Sequence, residues 1–489
     1  MEPIGTITQY FPFIDEETKN VLEYVMAKAS DYYDFVQKLG EMVLNTDSRV
    51  MTVYFAIHHA ILAYEYKLID KIREKYGEHQ ILEPNLFFAS SYQGTYEDVE
   101  KVHEMADAIL ATKPDDWIAL EMYFMKFEVD MRNYPKTMYE TEIMDKIEEL
   151  MDSESNFGFY KATLYDYLSE KALSDGDADG RLRCINKALH AAEKFNDLVR
   201  VAHLLIKKAN IIMNQDRAES QELLKQAYAI VDSSLVIPMN YANILDKLGL
   251  IDAMRGKFDS AINNLLDVIT LRERAGLSTA NASYFLSTLY NVIGEPESGL
   301  EWGLMTEDQV KNRPILANRA KLSQIWSLIL LNRLTEAQIL LDTYQEPILK
   351  SGDESQLAWL YFDTGVLEMA RGDFASALSS VEQGLEIYEQ SRGAFIFELI
   401  FLYQLAKIEV YSCTSGETVS PSLAILEDKA LSEDLPGILG LVLLLKADAA
   451  IMNNDPSLLR EIISQLESLS EEEDLKFLKP HFDSLVGKL

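Results

Sequence analysis

The chain has 489 residues, of which 48% are hydrophobic, and a formal net charge of −34. That much apolar material excludes a globally disordered chain. That much negative charge disfavours nucleic acid and anionic membrane surfaces; it favours basic partners or cationic ligands, and solubility alone also accounts for it.

Length alone would suggest about three domains. A repeat array escapes that count, because each unit contacts only its neighbours. The 13 Pro and 22 Gly are few and mostly spaced out, which favours long helices over an all-β fold. Cys184 and Cys413 are the only cysteines and match no metal-ligand, redox or disulfide-framework spacing.

Residues 1–20 read as an irregular N-terminal cap. They lack a basic stretch followed by an apolar core, so no secretory signal is read. The longest apolar run, Ile438 to Leu445, stops at Lys446, far short of the roughly 20 residues of a membrane span. No membrane association is therefore expected, and a cytoplasmic location is.

Residues 21–159 read as divergent helical repeats and form the more acidic part of the chain. Val50 to Tyr76 is a long apolar-rich helix or a pair. Within it His58 and His59 are adjacent and point about 100° apart on a helix, which makes a shared site difficult. Ser90 to Leu110 reads as one degenerate unit with a turn at Gly94 and Tyr96, and Thr112 to Asp116 as the start of the next helix. His103-Glu-Met-Ala-Asp107 nearly spells the zinc-protease helix, but Asp107 replaces the second His. A packed or hydrogen-bonded histidine is the expectation there, not a metal ligand.

Residues 160–475 carry the clearest pattern. Leu248 to Ile262, LGLIDAMRGKFDSAI, and Asp363 to Leu378, DTGVLEMARGDFASAL, repeat the same frame of Gly, Gly, Phe and Ala. Helical periodicity runs before Gly256 and resumes after it. Turns fall near Gly176, Gln215, Gly256, Gly294, Asn332, Gly372 and Asn454, mostly in steps of about 40 residues, which marks a solenoid of two helices per unit. The unit before Asn454 has a longer connection at Ser412 to Ser422. The polar stretch Ser468 to Asp474 ends the stack, and residues 476–489 form a capping segment.

These residues resemble tetratricopeptide repeats of the longer, roughly 40-residue kind. The match is good at Leu248, Gly249, Gly256, Phe258 and Ala261 and at Gly365, Gly372, Phe374 and Ala377, and fair at Leu334 and Ala337. The resemblance covers residues 160–475 directly and implies an all-α fold, a right-handed α-solenoid superhelix. It also implies that first-helix positions face a concave side. Transferred unit by unit, these are Asn243, Asp246 and Leu250; then Asn281, Tyr284, Thr288 and Asn291; then Arg319, Leu322, Trp326 and Ile329; then Trp359, Phe362, Val366 and Met369; then Leu399, Leu402 and Ala406. Residues 319–406 thereby offer an apolar, aromatic trough. Either it anchors a peptide, a partner helix or a small apolar ligand, or it is buried by tight winding or a neighbouring segment.

Other constellations lead to less. Asp175, Asp177 and Asp179 before Gly180 mimic the start of an EF-hand loop, but Asn186 stands where the bidentate Glu belongs. An acidic turn capping a helix is the simpler reading. Gly249 to Lys257 departs from a phosphate loop in spacing and in Phe258. No nucleophile elbow or dinucleotide fingerprint is present, and no Lys/Arg–Asn clamp for an acidic C-terminus is found. No cofactor and no catalysis are expected. The expectation is a scaffold holding a protein or peptide partner, with Leu322, Trp326, Ile329, Trp359, Phe362, Val366, Met369, Leu399 and Leu402 as contacts. The alternative is a regulator sensing a small molecule or peptide, which the resemblance to repeat-containing sensor arms of transcription activators implies.

Overall fold

In the computed structural model the described residues are 14–63, 65–79, 82, 99–133, 141–153, 160–195, 197–213, 215–234, 238–274, 277–310, 314–390, 395–412, 420–471 and 473–487. Among them every regular element is a helix. The turn read at Gly94 and Tyr96 lies outside the described residues. The chain divides into two compact units, residues 1–244 and 245–489.

The first unit holds α1 (Glu16–Met26), α2 (Tyr32–Asn45), α3 (Val50–Leu62), α4 (Tyr66–Tyr76), α5 (Val99–Leu110), α6 (Asp116–Asn133), α7 (Thr141–Ser153), α8 (Tyr160–Ser174), α9 (Ala178–Lys194), α10 (Leu198–Ile212) and α11 (Arg217–Ser234). Helix α1 begins at Glu16, within the first 20 residues, because Asp15 accepts from the Thr18 amide at 2.8 Å. Asp31, Asp177 and Asp197 cap α2, α9 and α10 in the same manner. The apolar-rich stretch from Val50 resolves into a pair, α3 and α4. Val102, Ala106 and Ile109 of α5 close on Ile118, Met122, Met125 and Val129 of α6, at helical spacings of 3 and 4.

The division falls inside α12 (Pro238–Met254). The second unit continues with α13 (Phe258–Arg274), α14 (Ala280–Val292), α15 (Pro296–Val310), α16 (Pro314–Leu330), α17 (Leu334–Ser351), α18 (Glu354–Ala370), α19 (Phe374–Gln390), α20 (Phe395–Ser412), α21 (Pro421–Ser432), α22 (Pro436–Met452), α23 (Pro456–Ser470), a 3-10 segment (Glu473–Leu478) and α24 (Lys479–Val486). Helices pair in sequence order, and first helices pack on first helices of the next pair. Gly176, Gly256, Gly294, Asn332, Gly372 and Asn454 all have φ between 54° and 85°. Each ends a first helix: after Gly256 the Lys257 amide returns to the Asp252 carbonyl, and after Gly372 the Asp373 amide to Glu368.

Candidate functional site

Helices α14, α16, α18 and α20 of the second unit carry a cluster of aromatic side chains. Trp326 meets Phe362 edge-on at 5.0 Å between centroids and Trp359 at 6.0 Å; Trp359 and Phe362 stand 4.9 Å apart. Phe397 and Phe401 of α20 lie 5.4 and 5.3 Å from Trp359. Tyr388 of α19 stacks on Phe401, and Phe285 of α14 reaches Phe397 at 6.0 Å. The aromatic residues of the trough are therefore brought together, and they fill the space between four helices.

That packing sets their exposure. Trp326 and Trp359 are each 6% exposed and Phe362 is fully buried. Leu322, Ile329, Val366, Leu399 and Leu402 are buried as well, and Met369 is partly exposed. Of the two readings of the trough, the structure has the enclosed one. Leu399 borders a small apolar void shared with Phe258, Val292, Ile400 and Ile438, so four helices meet there too.

A polar band runs beside the aromatic one. Asn318 donates to Gln356 at 2.9 Å, and Gln356 donates to Asp353 at 2.8 Å. Arg319 lies 3.8 Å from Asp353. Ser327 donates to Asn291 at 2.9 Å. Burial pushes the Tyr284 hydroxyl up to about 12; Arg319 works against that rise and Asp363 adds to it.

Asp363 stands apart from this band. It lies two helical turns beyond Gln356, on the α18 face turned toward α16. Its side chain is fully buried, and among the described residues neither carboxylate oxygen has a hydrogen-bond partner. Burial holds its acid form well above the usual carboxylate range. Repeat spacing in the sequence does not single out Asp363, Phe397 or Phe401 as site residues. The acid that interrupts the apolar run WLYFDTGVL is the signal that points to Asp363.

The first unit carries a charged cluster. Asp166 and Glu170, four residues apart on α8, both accept from Lys207 of α10, at 2.5 and 2.8 Å. His203, four residues before Lys207, lies 3.7 Å from Asp166. Burial works to raise the Asp166 carboxyl, but Lys207 and His203 outweigh it and hold it low. Burial pushes His58 down to about 4, aided by Arg200, and pushes His59 well down. The His59 ring nitrogen Nδ1 pairs with the Tyr32 hydroxyl at 2.8 Å.

The metal candidates have local partners. His103 pairs with Asp130 at 3.0 Å, and Lys126 donates to Asp107 at 2.8 Å, so both residues of the near-motif face α6. Asp177 caps α9 through the Gly180 amide, and Lys171 pairs with Asp175. Among the described residues no group of three His, Cys, Asp or Glu side chains is arranged to hold a metal ion. No described helix is long and apolar enough to cross a membrane.

The packing inside each pair decides the kind of repeat. A Cβ on Gly365 would stand 2.8 Å from the Ala377 carbonyl oxygen and against Val381, so α18 and α19 touch backbone to backbone. Gly249 meets the Ala261 carbonyl oxygen in the same way at 3.3 Å, and Phe258, Ala261 and Ala377 are fully buried. In this packing the helix pairs resemble tetratricopeptide repeats. No protein-family profile matches the chain. No curated protein matches it either. Among solved structures, it is similar to a Rap protein complexed with competence and sporulation factor, with a TM-score of 0.49 at 12% identity over 68% of this chain and 98% of that one. Yeast Tom70 aligns with a TM-score of 0.34 at 13% identity, over 94% and 97% of the two chains. A signal-transduction ATPase with a tetratricopeptide-repeat sensor from Pyrococcus horikoshii aligns at 0.30 and 12% identity, over 94% and 86%. In the second unit the first helices enclose Trp326, Trp359 and Phe362 among themselves.

Proposed function

We propose that the chain is a non-enzymatic interaction scaffold that binds a peptide or protein partner on the inner face of its second unit. The observation that carries this reading is Asp363. A buried acid without a hydrogen bond costs the folded state, and local rules are broken in this manner where a site asks for it. It adjoins a cluster of aromatic side chains, Trp359 and Phe362 among them, of the kind that anchors partners. The excess negative charge favours a basic segment. The contacts are Leu322, Trp326, Ile329, Trp359, Phe362, Val366, Met369, Leu399 and Leu402, and they become available when the first helices part.

A regulator sensing a small molecule or peptide is the second reading. The enclosure of Trp326, Trp359 and Phe362 favours it, because enclosed sites bury small ligands. Both readings place the protein in the cytoplasm.

Affinity capture from native lysate separates them. Wild type is compared with a Trp326→Phe/Trp359→Phe/Met369→Glu variant of unchanged helical content. A partner held by the wild type and lost from the variant supports the scaffold. Retention by both puts binding on another surface. No capture by either favours the small-molecule sensor, which thermal stabilisation by a ligand then tests.

A further inference from the structure

Buried polar side chains of the second unit are paired. Asn318 donates to Gln356, Ser327 donates to Asn291, and Gln324 donates to the Gly303 carbonyl at 3.1 Å and to Glu307 at 3.0 Å. Among the described residues of this unit, the fully buried side-chain nitrogen and oxygen atoms left without a hydrogen bond are the two oxygens of Asp363. Both belong to one carboxylate, so a complete fork of acceptors stands open. The basic residues of the adjoining α16 are engaged elsewhere: Arg319 lies 3.8 Å from Asp353, and Lys321 lies 2.5 Å from Glu307. The fork has aromatic neighbours. Trp359 lies four residues before Asp363, on the same face of α18, and the Trp326 ring of α16 stands 6.0 Å from that of Trp359. The Tyr284 hydroxyl of α14 feels the charges of both Arg319 and Asp363, which places it near both. Tyr284 and Arg319 are partly exposed, so solvent reaches this neighbourhood.

We propose that Asp363 and Trp359 form a subsite for an arginine side chain of a basic peptide segment, the guanidinium spanning both carboxylate oxygens and lying against the indole. The subsite rests on the inner-face reading above and names the group that such a partner presents. Three features favour a guanidinium. Two open acceptors on one carboxylate fit two parallel N–H donors, which a guanidinium holds in a fixed fork and an ammonium does not. A flat, weakly hydrated cation stacks on an indole, and the attraction grows once water is excluded. The net charge of −34 draws a basic segment toward the chain. The arriving guanidinium supplies the counter-charge that burial withholds from Asp363, and the proton of the acid passes to solvent as the pair forms. Withdrawal of the partly exposed Tyr284 and Arg319 side chains opens the way.

Calorimetric titration of the full chain tests this with three pools of acetylated, amidated pentapeptides, alike except for arginine, lysine or citrulline at the centre. Citrulline keeps the shape of arginine without its charge. The arginine pool binds wild type at least about tenfold tighter than either other pool, and in Asp363→Asn that preference disappears. Equal binding of the arginine and citrulline pools, or a preference that survives in Asp363→Asn, overturns the subsite. Equal binding of the lysine pool does so too, because charge alone would then be read. If such binding is abolished in Trp326→Phe/Trp359→Phe/Met369→Glu, the inner-face reading stands while the arginine subsite falls. Absence of binding by every pool also overturns the subsite, and lysate capture then decides the inner-face reading by itself. Should Asp363→Asn fail to fold, Asp363→Leu, which also removes the charge, takes its place.

Discussion

The ring of Phe285 on α14 stands edge-on to that of Phe397 on α20, 6.0 Å between centroids and at 73°. The contact joins helices separated by two complete repeats. Phe397 in turn meets Trp359, which is 6% exposed. This packing explains why a stretch patterned as a binding trough behaves as a core.

Trp359→Ala therefore destabilises the second unit. Trp359 is 6% exposed and meets four aromatic rings, so truncation costs about 3–5 kcal/mol. Trp359→Phe costs less, because part of the ring contact remains. Urea denaturation of the two variants checks this; equal and small losses would show that the ring faces solvent.

Asp363 makes stability fall as pH rises. Its folded acid form is held well above its ordinary value of 3.8. The unfolded chain then releases the proton first, so stability is full below about 4 and declines as pH rises toward the folded value. Asp363→Asn removes this slope, and Asp363→Leu gains about 1–3 kcal/mol at neutral pH by removing the unpaired buried acid. Denaturation midpoints between pH 4 and 8 test both; a wild-type slope matching the Asn variant would remove Asp363 as its source.

His58 acts in the opposite direction. Its folded value is depressed to about 4 from 6.5, chiefly by burial and further by Arg200. The unfolded chain takes up the proton first as pH falls, so stability present above about 6.5 is lost toward pH 4, on the order of 3 kcal/mol for this group. The neutral isostere in His58→Gln reduces the acid-side loss. The pH dependence of unfolding, followed by a probe in the first unit, reports it.

Asp166→Ala leaves Lys207 with Glu170 alone. The loss is about 2–3 kcal/mol, below the range for a fully buried pair because both groups keep some solvent. Asp166→Asn restores part of it by accepting from Lys207. Thermal unfolding of the pair of variants distinguishes a charge effect from a packing one.

Gly365→Val tests the repeat packing. The added side chain meets Val381 and the Ala377 carbonyl oxygen, neither of which has room to withdraw, and overpacking of this kind costs about 1–3 kcal/mol. The same change at Gly372, where nothing lies within 4 Å of a Cβ, acts only through its φ of 84°. Comparing the two separates close approach from backbone conformation.

The sequence by itself determined the helix pairs. Gly256, Gly294, Asn332, Gly372 and Asn454 could be read as turns, because a left-handed residue between two helical periodicities is a local requirement. It also determined which side chains share a helix face, which is why Trp326, Trp359 and Phe362 can be grouped from their spacing alone. The tertiary structure alone decided that this face is enclosed, that Asp363 lacks a hydrogen-bond partner among the described residues, and that Gly256 meets Gly437. The reason is geometric. Each repeat adds a small rotation that no single repeat encodes, and only their sum brings residues nearly 200 positions apart together and fills the space between them.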